Sequence, residues 1–116
     1  MKGIIGTLAL ALLAGCATPT MNEMRNEEPR QVLHSKKAAK VIADCVQREW
    51  QEMPVFEGKS GATQEPGKKG GYTVATVGEA YFVDIHPDAS GSVAKYYAST
   101  YRWIARKHLN ALKGCL

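Results

Sequence analysis

From Lys36 to Met53 apolar side chains return every three or four positions. Ala38, Ala39, Ile42, Cys45, Val46, Trp50 and Met53 share one side of a 3.6-residue period. Lys37, Lys40, Asp44, Gln47, Arg48 and Gln51 fall on the other. The spacing predicts an amphipathic helix, with Ser35 as its N-cap and Pro54 marking its end. Lys40–Asp44, Asp44–Arg48 and Arg48–Glu52 are opposite charges four positions apart, each contributing ~0.3 kcal/mol.

Downstream the period shortens. Val55–Glu57 reads as a short strand and residues 58–71 (GKSGATQEPGKKGG) as a polar loop. Tyr72–Val77 and Ala80–His86 alternate like two strands around Gly78-Glu79, a pair suited to a two-residue turn. In that register Tyr72, Val74, Tyr81, Val83 and Ile85 share one face, the natural core side. Thr73, Ala75, Val77, Phe82 and Asp84 share the other, which is half apolar and open to a partner, a second copy or the long loop.

After a His86-Pro87-Asp88 turn, Ser90 or Ser92 can cap a second helix reaching about Leu112. Val93, Tyr97, Thr100, Ile104, His108 and Ala111 form its apolar stripe. Lys95, Arg102, Arg106 and Lys113 cluster on the reverse within roughly 40° of arc. The expected fold is α+β: a small two-layer domain in the order α-β-β-β-α, both helices on one face of a two- or three-stranded antiparallel sheet.

Composition changes little in this picture. The chain has 116 residues, 45% of them hydrophobic and 22% charged, which suits one globular domain. Its net charge of +4 is too mild to imply a nucleic-acid partner, and no cofactor motif is present.

The start of the chain sets the address. One charge, Lys2, precedes an apolar segment from Ile4 to Leu13, followed by small residues. This is the pattern of a secretory signal peptide over residues 1–15. Ten residues are too few to cross a bilayer as a helix, which needs about 20. Leu13-Ala14-Gly15-Cys16 resembles the lipobox of bacterial lipoproteins. The resemblance implies a diacylglyceryl group on the Cys16 thiol, cleavage before it, and acylation of the new amine. Ala17, standing where a retained protein carries aspartate, implies passage to the outer membrane, facing the periplasm.

That leader divides the rest into a lipidated, flexible tether over residues 16–34 and a single domain over residues 35–116. The eighteen residues after Cys16 extend to ~60 Å, so the domain need not touch the membrane. With Cys16 taken by lipid, Cys45 and Cys115 remain, and outside the cytoplasm such a pair is expected to oxidise. A bridge closing about 70 residues contributes ~4 kcal/mol on the chain-entropy account. Both cysteines continue the apolar stripes of their helices.

Three constellations could carry chemistry. Asp84, His86 and Asp88 suit a divalent cation by ligand type, but their spacing matches no metal motif, and a local Asp turn is the plainer account. Ser90 and Ser92 with His34, His86 and His108 could in principle make a nucleophile–base set, but no nucleophile-elbow pattern is present and no enzyme is expected. Lys95, Arg102, Arg106 and Lys113 form a basic face for an anionic partner. The reading is a lipid-anchored contact module that engages an envelope protein or an anionic envelope component. The alternatives are a small-ligand or divalent-metal binder through Asp84, His86 and Asp88, and an inhibitor of an envelope lytic enzyme.

Overall fold

A computed structural model describes residues 19–100 and 102–116. The expected signal peptide and the expected lipidation site, Cys16, lie outside the described residues. The chain runs α1 (Met21–Arg25), β1 (Gln31–Ser35), α2 (Ala39–Gln51), β2 (Pro54–Val55), β3 (Gly58–Lys59), β4 (Ala62–Pro66), β5 (Tyr72–Thr76), β6 (Tyr81–Asp88), β7 (Gly91–Ala98) and α3 (Trp103–Lys113). The class is α+β as expected, but the main sheet has five antiparallel strands, in the order β1-β7-β6-β5-β4. β2 and β3 form a separate small hairpin.

The β5–β6 pair keeps the register that alternation implies, with Val74 opposite Val83 and Tyr72 opposite Ile85. Gly78 and Glu79 both take positive φ, 86° and 62°, the backbone of a tight hairpin turn whose twist suits the strands. Val74, Val83, Ile85, Ala94 and Tyr96 are buried on the expected core face. Ile42, Ala43, Val46 and Trp50 of α2 and Ala105, Leu109 and Leu112 of α3 pack into the same cluster. Each of the larger aliphatic side chains contributes about 1.5–3 kcal/mol by leaving water. Two aromatic groups tie this layer to α3: the Trp50 indole N–H donates to the His108 carbonyl at 3.0 Å, and the Tyr96 hydroxyl donates to the Ala105 carbonyl at 2.7 Å. Cys45 and Cys115 are bonded, joining α2 to the residues just past α3.

Five expectations are corrected. The predicted second helix is a strand, β7, followed by the shorter α3. Ser92, Ala94, Tyr96 and Ala98 alternate inward with near-zero to low exposure, while Val93 and Lys95 stand on the other face. The period-2 pattern prevails because pairing with both β6 and β1 satisfies the backbone of this segment along its length. His86-Pro87-Asp88 accordingly ends β6, and the turn falls at Ala89-Ser90, where Asp88 Oδ1 accepts from the Ser90 N–H at 2.9 Å.

The described part of the expected tether, residues 19–34, is not a free tether, because α1 and most of β1 lie within it. Ser35 closes β1 rather than capping a helix, and Ala38 is the N-cap of α2 without a side-chain bond. Lastly, the polar run 58–71 supplies β3 and the edge strand β4, which pairs with β5 from Ala62–Thr76 to Pro66–Tyr72.

Candidate functional site

The sheet face opposite α2 and α3 carries a second, small core. Phe82 stacks on Tyr97 at 4.7 Å between ring centroids, and Met24 and Ala75 complete a buried group with Met21 at its margin. The half-apolar face expected to await a partner is thus covered here by the chain's own α1. Helix α1 starts where it does because Thr20 is an N-cap: its hydroxyl oxygen accepts from the Glu23 N–H at 3.2 Å, and Glu23 is the acidic residue of that first turn.

Arg25 ends α1 and reaches over Phe82, its guanidinium carbon 5.0 Å from the ring centroid. Its Nε and Nη2 donate to the two oxygens of Asp84 at 2.7 and 2.8 Å, and Nη2 also donates to Thr73. The Thr73 hydroxyl donates to Asp84 Oδ1 at 2.6 Å. Burial alone would raise the Asp84 pKa, but these donors outweigh it and hold the carboxyl below its ordinary value. A cavity of about 410 Å³ opens beside this pair, bordered by Met21, Glu65, Lys68, Tyr72 and His86.

The structure does not gather Asp84, His86 and Asp88 around a cation. Asp84 is committed to Arg25 and Thr73, while Asp88 accepts from Ser90 and lies 3.8 Å from His34. Among the described residues no group of three His, Cys, Asp or Glu side chains converges as a metal would require. Ser90 belongs to the Asp88 turn, and the Ser92 hydroxyl donates to the Lys37 carbonyl at 2.8 Å, so neither meets a histidine base.

One Ser–His contact does form, at an unexpected position. Ser60 Oγ lies 2.8 Å from His108 Nε2, and Nδ1 lies 2.8 Å from the Ile104 carbonyl. A carbonyl can only accept, so Nδ1 carries the proton and Nε2 accepts from Ser60. The His108 ring is fully buried, stacked on Tyr81 at 4.8 Å and edge-on to Trp50 at 5.2 Å. Burial pushes its pKa down. No carboxylate orients it, and neither residue borders the cavity beside Arg25. The pair satisfies a buried imidazole.

The expected basic face is divided. Lys95 belongs to β7, on the sheet face opposite α3, across from Asp84 in register. Arg102, Arg106 and Lys113 remain on one exposed side of α3, with Lys113 at its far end. At the near end an aromatic pair stands out. Phe56, at the tip of the β2–β3 hairpin with φ of 51°, packs edge-on against Trp103 at 5.8 Å. Phe56 is 83% exposed and Trp103 49%. Lys107 Nζ donates to the Pro54 carbonyl at 2.9 Å, which docks the hairpin on α3. The sequence signal for this feature was the pair of aromatics outside both apolar stripes; their meeting depends on the hairpin.

No family model, curated protein or solved structure matches the chain.

Proposed function

We propose that the protein is a lipid-anchored envelope lipoprotein, acting by contact as a binding or structural module at the periplasmic face of the outer membrane. The observation that carries this reading is Leu13-Ala14-Gly15-Cys16 directly after an apolar leader. The Cys45–Cys115 bond supports it, since such a bond persists in an oxidising compartment. The cavity beside Arg25 and Asp84, with cationic Lys68 and acidic Glu65 on its rim, is the surface offered to a partner. A protein or an anionic envelope component can be met there without any reaction taking place. The metal-binding alternative has no observation in its favour, because the Asp84 oxygens are engaged by Arg25 and Thr73.

The test is the intact mass of the protein extracted from cells with detergent. The expected product begins at Cys16 and carries diacylglyceryl and acyl groups, and Cys16→Ser abolishes both processing and detergent partitioning. One acyl chain binds marginally and two or more hold firmly, so partitioning reads the modification directly. A water-soluble chain that starts at Met1 overturns the proposal.

A further inference from the structure

The folded body starts close behind Cys16. Helix α1 begins at Met21 and is fastened by Arg25, so only residues 17–19 separate the thiol from the Thr20 cap. At ~3.5 Å per residue these span about 10–14 Å at most, not the ~60 Å of a free tether. An anchor at Cys16 therefore holds the domain against the bilayer, and the point where the chain leaves the domain selects the end that faces it.

That point is at one end of the sheet. Pro19 borders a cavity with Tyr97, Ala98 and Ser99, where β7 finishes. The Ser99 N–H donates to the Ala80 carbonyl, which puts the β5–β6 turn with its 73%-exposed Val77 at the same end. Trp103 begins α3 only four residues after Ser99, and Phe56 packs on it. Arg102, the N-cap of that helix, and Arg106 in its first turn are exposed, with Lys107 beside them.

Resting on the lipoprotein reading above, we infer that this end is a membrane-docking surface: Phe56 and Trp103 enter the headgroup layer, and Arg102 and Arg106 meet lipid phosphates. The chemistry is complementary, because an indole and a phenyl ring flanked by arginines is what an interface of apolar chains and anionic headgroups accommodates. The positive φ of Phe56 fits the same purpose, since it projects a large ring from a two-residue turn where a small residue would be less strained. Around the Pro19 cavity, on the α1 side of the sheet, Glu23, Glu27 and Glu28 outnumber Arg30. The charge asymmetry tilts the domain so that the α3 side approaches the phosphates. In this orientation the cavity beside Arg25 is left open to the periplasm.

The two tryptophans make the test direct, because Trp50 is fully buried and Trp103 is not. The full chain, matured in cells and purified in detergent, is placed in phosphatidylethanolamine–phosphatidylglycerol vesicles containing brominated phosphatidylcholine. The expected result is a blue shift and bromine quenching of Trp103 emission, absent in Trp103→Phe. Arg102→Glu with Arg106→Glu lowers the docking equilibrium constant by at least about five-fold per cation lost, and high salt weakens docking in the same direction. Phe56→Asn, which suits the backbone of that turn, weakens quenching without loss of folding. If the mass shows lipidated Cys16 but Trp103 is unquenched, the docking surface is overturned and the anchor stands. A shielded, unquenched Trp103 in a dimer assigns the patch to a second copy and also overturns it. An unlipidated mass removes the anchor and this inference together.

Discussion

Arg25 and Asp84, 59 residues apart, face each other fork to fork, with Nε on Oδ2 at 2.7 Å and Nη2 on Oδ1 at 2.8 Å. This pair joins a five-residue helix to the centre of the sheet. Such a helix is far too short to persist alone in water, so its place depends on this pair and on Met24 against Phe82 and Tyr97.

Arg25→Ala is expected to destabilise the fold by about 1–2 kcal/mol, the range for charge-assisted hydrogen bonds at a partly exposed site. Its readout is local as well as global. Amide hydrogens of Met24–Asn26 should exchange faster while those of α2 are little changed, and equal protection of both segments would refute the fastening role.

Reduction of the Cys45–Cys115 bond should lower stability by about 2–5 kcal/mol, since the bond closes a loop with a sequence separation of 70. Urea titration with and without reductant measures it. The double variant Cys45→Ala, Cys115→Ala should match the reduced protein, and an unchanged midpoint would show that the bond adds nothing.

His108 makes stability depend on pH. Its folded pKa is lowered by burial, so the unfolded chain takes up a proton more readily than the folded one. The contribution is fully present above the unfolded value of about 6.5 and is lost as pH falls from there through the depressed folded value. His108→Gln should flatten the fall of the melting temperature below about pH 6.5 relative to the wild type. Asp84 acts lower, its contribution fading only below the ordinary carboxyl range.

Gly91→Ala should be severely destabilising. Gly91 has φ of 149°, and a Cβ there would lie 2.1 Å from the Ser35 carbonyl oxygen, backbone that cannot swing aside. The expected cost is at least about 2–3 kcal/mol, from positive-φ strain and the broken approach of β1 to β7. A variant with wild-type melting would show that the strand ends can part cheaply.

Parts of this architecture were legible along the chain. α2 declared itself by its period and the β5–β6 hairpin by its turn, because both are local patterns with one wet and one dry side. α1 also has a local signal: Thr20-Met21-Asn22-Glu23 has the spacing of a capping box, set among the polar residues that otherwise read as a tether. β7 was ambiguous. Val93, Tyr97, Thr100 and Ile104 fit a helix, while Ser92, Ala94, Tyr96 and Ala98 fit a strand. The β-branched and aromatic content of that run favoured the strand. β1 and β4 are edge strands with mostly half-wet or exposed positions, so their identity comes from pairing rather than from pattern.

The sequence by itself determined the α+β class, the α2 helix, the central hairpin register and the cysteine pairing. The first three follow from periodicity over adjacent residues; the pairing of Cys45 with Cys115 follows only once the lipobox resemblance assigns Cys16 to lipid. Tertiary structure alone decided that β7 is extended, that Arg25 spends two of its three guanidinium nitrogens on Asp84, that His108 meets Ser60, and that Phe56 lies on Trp103. Those contacts join residues 47 to 59 positions apart, and no local period reports which distant partner will satisfy a buried group.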